Sequence, residues 1–319
     1  MNPVNKLAAA SVLAVFSASV PALDLGATIQ RFDSLQSRGQ ISSELEPDVA
    51  EVGSGTNKFK LQTARIKGVE GQENKVATED WKLEAAIPLA FSSNPAKLHT
   101  DERDAGHLTP NVAVTWGKPV GGYSVSATAG LIYDRYTSHS VDGTSIAFGN
   151  FQIVHGDPTV AFTPTISYAP TAVFDEFLGN HKAVTHDIYA GLVRKLIVPV
   201  PHSNMPFNVT LNIGYTRREA SVALLEQHRP ALVVQIDRKV SERLSWRIKQ
   251  VVRGEFSTNG GTKGRADLYL QTGVALSYLF AQTASLSAGF TFDRNESNKF
   301  AKDYSTWDVG PTLGITLPF

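Results

Sequence analysis

Residues 310–319 read GPTLGITLPF, where Leu313, Ile315, Leu317 and Phe319 alternate with Gly314, Thr316 and Pro318. Successive side chains of an extended chain point to opposite faces, so a period of two gathers the apolar residues on one side. In water such a strand leaves a hydrophobic ribbon at an unprotected terminus. It is matched instead by an apolar solvent on one face and a polar space on the other.

The same alternation recurs upstream. FNVTLNIGY at 207–215 sets Phe207, Val209, Leu211, Ile213 and Tyr215 against Asn208, Thr210, Asn212 and Gly214. ASLSAGFTF at 284–292 and GYSVSATAGLIYD at 122–134 repeat it. Extending the pattern predicts about twelve strands, near 81–91, 109–117, 122–136, 144–153, 158–170, 184–197, 207–218, 230–239, 243–256, 266–279, 282–294 and 306–319. The connections alternate in length. Long ones are expected near 92–108, 137–143, 171–183, 219–229, 257–265 and 295–305, and short ones near 118–121, 154–157, 198–206, 240–242 and 280–281. A sandwich also alternates apolar and polar residues, but nothing in it makes long and short connections take turns.

Together these features resemble bacterial outer-membrane β-barrel proteins over residues 81–319, so the expected fold is all-β: a closed antiparallel transmembrane β-barrel of about 12 strands. The resemblance implies outer-membrane lipids as surroundings and the barrel-assembly machinery as a partner during insertion. It makes Leu313, Ile315, Leu317 and Phe319 the assembly signal. Trp307 and Phe319 share a face twelve positions apart, which spans about 30 Å of membrane normal at a tilt of about 40°. WKLEAAIPLAF at 81–91 and HGDPTVAFTPTISY at 155–168 further resemble barrels of the phenol-degradation meta-pathway family, where a Gly-Asp turn precedes a strand. That likeness implies uptake of small organic solutes.

The opening residues fit an export signal over 1–22: Lys6 supplies the positive end, Leu7 to Phe16 an apolar stretch, and Val20-Pro21-Ala22 small residues before a cleavage point. That stretch is shorter than the roughly 20 residues a membrane-spanning helix needs. Residues 23–80 are polar, with Glu44, Glu46, Asp48 and Glu51, and read as a periplasmic extension or a plug.

Lys plus Arg number 30 and Asp plus Glu 30, and this balance argues against nucleic-acid partners, which need a basic surface. There is no cysteine, which excludes disulfides, thiol catalysis and cysteine-ligated metals within the chain. No H-E-x-x-H or comparable metal spacing occurs, and no cofactor is expected. His99, His107, His155, His181, His202 and His228 fall in expected connections. In YTSHSVDG at 136–143, His139 and Ser140 are neighbours, so a strand would send them to opposite faces. The stretch reads as a polar loop ending in an Asp-Gly turn.

The polar faces of the strands then line the interior. They carry Lys82, Glu84, Asp134, Asp187, Lys195, Asp237, Lys239, Arg243, Arg247, Lys249, Arg253 and Glu255. Two readings stay open for these charges: a basic pore wall favouring anionic solutes, or a salt-bridge network that fills and stiffens the barrel. The expected function is a narrow channel or passive transporter for small solutes. A lipid-modifying hydrolase and a closed structural or surface-recognition barrel are the alternatives.

Overall fold

The computed structural model describes residues 80–94, 104–137, 143–175, 177–200, 203–259, 263–299 and 303–318. The export signal, the polar segment up to residue 79, the His139–Ser140 loop and Phe319 lie outside the described residues.

Alternation of β-branched and aromatic residues with small polar ones builds thirteen strands. They are β1 (Asp80–Ser92), β2 (Ala105–Leu108), β3 (Asn111–Val120), β4 (Tyr123–Tyr136), β5 (Thr144–His155), β6 (Thr163–Asp175) and β7 (His181–Val200). Next come β8 (Ser203–Ala220), β9 (Gln227–Lys239), β10 (Leu244–Ser257), β11 (Ala266–Leu279), β12 (Ala284–Ser297) and β13 (Tyr304–Pro318). All pairings are antiparallel, each strand pairs with its neighbours in the chain save around β2 and β3, and β13 returns to pair with β1. β2 and β3 both lie between β1 and β4, so they form one strand interrupted at Thr109-Pro110. The result is a closed twelve-stranded barrel with no free edge.

Closure is anchored by Lys82 opposite Pro318, Ala85 opposite Ile315 and Ser92 opposite Asp308. The register skips Leu89-Ala90 against Gly310-Pro311, where Pro311 has no N–H to offer. The ladder is broken for the same reason at Pro170 against Gly149 and at Pro230 against Gly254.

The outward face is an apolar belt. Ile87, Leu131, Ile188, Leu192, Ile213, Val274, Leu313 and Ile315 are all exposed. So continuous a band calls for hydrocarbon rather than water around it. Aromatic side chains edge it at both ends. Trp81, Tyr123 and Tyr278 stand at one end, with Phe207 against Trp246 at 5.8 Å. Phe91 against Trp307 at 5.7 Å, with Phe256, Tyr168 and Tyr215, stands toward the other.

The expected strands are present, with shifted bounds. Residues 158–170 were expected to form one strand, but β6 runs from Thr163 to Asp175. The Asp157 carboxylate accepts from the Thr159 backbone N–H at 2.8 Å and its hydroxyl at 2.7 Å, which holds the start of that stretch in a turn. The expected long connection 171–183 therefore shrinks to 176–180, and the expected short one 154–157 grows to 156–162. Strict alternation of connection lengths fails at this pair. The expected turn 198–206 contracts to residues 201–202, because β7 and β8 extend beyond the wall as a hairpin. Residues 121–122 form a two-residue turn in which Gly121 and Gly122 both have positive φ, 53° and 85°, the conformation a tight hairpin demands.

Candidate functional site: the barrel interior

Residues facing inward alternate with the belt on every strand, and the interior divides into sectors. Along β7–β12 runs a connected polar ladder. Asp187 on β7 takes a two-pronged bond from Arg218 on β8, whose Nε and Nη2 donate at 2.7 and 2.6 Å. Arg229 on β9 stands between Asp187, at 3.6 Å, and Glu255 on β10, at 3.5 Å. Arg253 Nε donates to the same Glu255 at 2.9 Å and the guanidinium lies over the Tyr269 ring at 4.4 Å. Gln271 donates to the Tyr269 hydroxyl at 2.9 Å and to Asp293 at 2.7 Å, carrying the chain of contacts onto β12. Such a chain satisfies charges that would be costly to desolvate singly.

A second polar cluster sits on β2, β4 and β13. Asp134 accepts from Thr109 Oγ1 at 3.0 Å and from Tyr136 OH at 2.8 Å, and lies 3.2 Å from His107 Nδ1. His107 stacks on Tyr136 with ring centroids 5.2 Å apart, and its Nε2 is 3.9 Å from Asp308. The break at Thr109-Pro110 lies within this cluster, as bulges and interruptions often do at specialised positions.

On β4–β7 an apolar cluster stands among buried polar residues such as Asn150, Gln152, Thr165 and Thr171. Ile132, Ile146, Phe148, Val173 and Ala183 are buried together, and Leu225 from the connection between β8 and β9 packs against them. The Phe148 ring lies directly over Gly130, where a Cβ would collide with it.

The interior changes along its axis. At the end carrying the tight turns, Lys82 and Glu84 pair at 2.5 Å with side chains 23% and 26% exposed. Arg247 and Asp237 pair at 2.7 Å, 40% and 29% exposed. Toward the other end exposure falls to 2% for Arg218 and 0% for Asp293. On β1, β9 and β10 the wetter part thus lies at the turn end, whereas on β5–β7 that end is packed as well, with Gln152, Thr163, Thr165 and Val193 buried.

Eleven of the twelve charged residues read as interior-facing lie on strands at inward positions, though Lys239, last on β9, is exposed. Arg243 does not: it lies in the turn 240–243, because β10 starts at Leu244. The structure brings Asp237 to Arg247, Arg253 to Glu255, and Lys82 to Glu84. Lys195 and Lys249 stand on β7 and β10. Leu313, Ile315 and Leu317 face outward on β13.

Arg218, Asp267, Asp293 and Asp308 were not singled out from sequence, although the period that placed Glu255 inward places them inward too; Arg229 fell in the expected connection 219–229, whereas β9 starts at Gln227. His107, His155, His181 and His228, expected in connections, lie on strands. Among the described residues no group of three His, Asp or Glu side chains could hold a metal ion.

No protein-family model matches this chain, and no curated protein matches it. Among solved structures, an outer membrane channel of Pseudomonas putida F1 is similar over 79% of this chain and 100% of its own, with 8% identity and a TM-score of 0.48. The β domain of the Bordetella autotransporter BrkA is similar over 74% and 98%, with 9% identity and a TM-score of 0.42. An anion-selective porin of Comamonas acidovorans is similar over 75% and 100%, with 7% identity and a TM-score of 0.37. These likenesses are of general barrel architecture and assign no residue a role.

Proposed function

We propose that this barrel resides in the outer membrane of a Gram-negative cell and forms a narrow channel, or passive transporter, for small solutes. Residues 1–22 would direct export, and the alternating apolar residues of β13, with Phe319, would be read by the assembly machinery. The turn end then faces the periplasm and the loop end the outside.

The observation that carries this reading is the charged, partly wet interior at the turn end. Lys82, Glu84, Asp237 and Arg247 line the inside of a wall whose outside is apolar. A barrel needing only to be filled has no use for solvated charge there, whereas a solute pathway does. Its charges are paired, so selectivity rests on individual pairs rather than on a wholly basic wall. The burial at the loop end favours a second reading, a closed structural barrel.

Planar-bilayer recording of the refolded mature protein separates the two. Steady conductance is expected, and replacing Arg247 by Ser leaves Asp237 uncompensated and moves reversal potentials toward cation preference. Silence from a demonstrably folded barrel, with residues 23–80 present and with them removed, would give the structural reading precedence.

A further inference from the structure

A lumen in a membrane barrel is ordinarily polar, yet near the loop end β4–β7 turn Ile132, Ile146, Phe148, Val173 and Ala183 inward. These residues are covered by the connection between β8 and β9. It folds as a short 3₁₀ turn, Ala223–Leu225, and Leu225 is only 5% exposed. Connections usually run over the surface with solvated residues, so an apolar residue turned into the mouth of the barrel needs a reason.

The connection is clamped at both ends. Ser221 N–H donates to the Val184 carbonyl at 2.9 Å, and Val184 N–H donates to Ser221 Oγ at 2.9 Å. At the far end the Glu226 carbonyl accepts from Thr258 N–H at 3.2 Å, and the Asn259 amide bonds the Glu226 carboxylate. Between the clamps, Leu225 N–H bonds Val222 within the turn itself, and no side-chain cap fixes the turn's start. Among the described residues no backbone hydrogen bond ties 222–225 to the wall. The middle is held by apolar contact of Leu225, with Ala220 and Val222 packed alongside.

From this we propose that residues 221–226 form a hinged strap that gates the outer mouth of the channel. Seated, Leu225 covers the apolar cluster and narrows the loop end of the interior. Lifted about Ser221 and Glu226, the strap uncovers that cluster and opens the mouth. Non-directional contact allows this to occur without breaking a network of hydrogen bonds. The gate rests on the channel reading above.

The chain contains no cysteine, so Leu225→Cys introduces a single thiol. The refolded full-length variant is treated with a membrane-impermeant cationic methanethiosulfonate while conductance is recorded, with Lys299→Cys in an exposed connection as control. Position 225 is expected to react about tenfold more slowly than 299, because the strap must leave an apolar seat before the reagent arrives. Each modification should raise conductance, since a cation cannot be reseated there, and Leu225→Ala should raise it without reagent. Equal reaction rates, or unchanged current through a conducting barrel after complete labelling, would overturn the gate and leave the channel reading standing. Complete labelling of a folded barrel that never conducts, with or without the substitution, would remove the channel reading and the gate with it.

Discussion

At the scale of single residues, the pairing of Asp187 with Arg218 is the most consequential contact in the interior. Its two parallel bonds fix the planar guanidinium, and Arg218 is buried while Asp187 is only partly so. Asp187→Asn removes the charge facing a buried cation and should cost about 3–5 kcal/mol, the usual penalty for breaking such a pair from one side. Urea titration followed by the gel mobility of folded and unfolded barrel would read it, and an unchanged midpoint would count against the ladder as a stabilising element. Gly310→Ala acts on the wall instead. A Cβ there would run into the Leu89 carbonyl and Ala90 Cα across the closure pairing, at a cost of about 1–3 kcal/mol on the same assay. Which way a charged residue points was legible from period two alone, as Asp237, Arg247 and Glu255 show. Which opposite charge it meets was not. Asp187 meets Arg218 rather than Arg247 because of the register between β7 and β8, a cross-strand quantity that no single stretch encodes. His107 escaped for a related reason: it fell in the expected connection 92–108, whose last residues instead form β2, paired with β1 on one side and β4 on the other.

At the scale of elements, the sequence pattern located every strand of the wall and misjudged ends where proline intervenes. Pro158 resembled a strand start but follows Asp157 into a turn. Pro170 resembled a strand end, but its missing N–H faces an existing gap opposite Gly149 and β6 continues. The strands also pack internally in ways that alternation does not reveal. The Tyr189 ring on β7 turns inward across Gly191 and Gly214, and its hydroxyl donates to Asn212 on β8. A Cβ at position 214 would overlap that ring, so Gly214→Ala should expel Tyr189 from its seat, visible as a loss of near-ultraviolet circular dichroism before any loss of strand content. The outward face makes a separate prediction. Leu192, mid-belt on β7, replaced by Arg should destabilise the barrel by about 2–4 kcal/mol in lipid, whereas Lys118 on the rim tolerates exchange for Arg. Equal effects at the two positions in refolding titrations would deny the belt its contact with hydrocarbon.

At the scale of the whole molecule, an apolar exterior encloses an interior that combines a few solvated ion pairs with buried polar and apolar clusters. Chain closure carries a consequence of its own. Lys82 meets Pro318, and nearly the entire barrel sequence lies between them. Joining ends so far apart is entropically the last pairing to be gained, and the rate of a fold falls as its contacts become more remote. Until β13 arrives, β1 and β12 each present an unsatisfied edge, the condition under which chains stick to one another. Time spent waiting for the final strand therefore limits yield more than the depth of the finished energy well. Without the fifteen residues of β13, the edges of β1 and β12 would have no partner in the wall, so the barrel exists as a closed form only once that strand is in place.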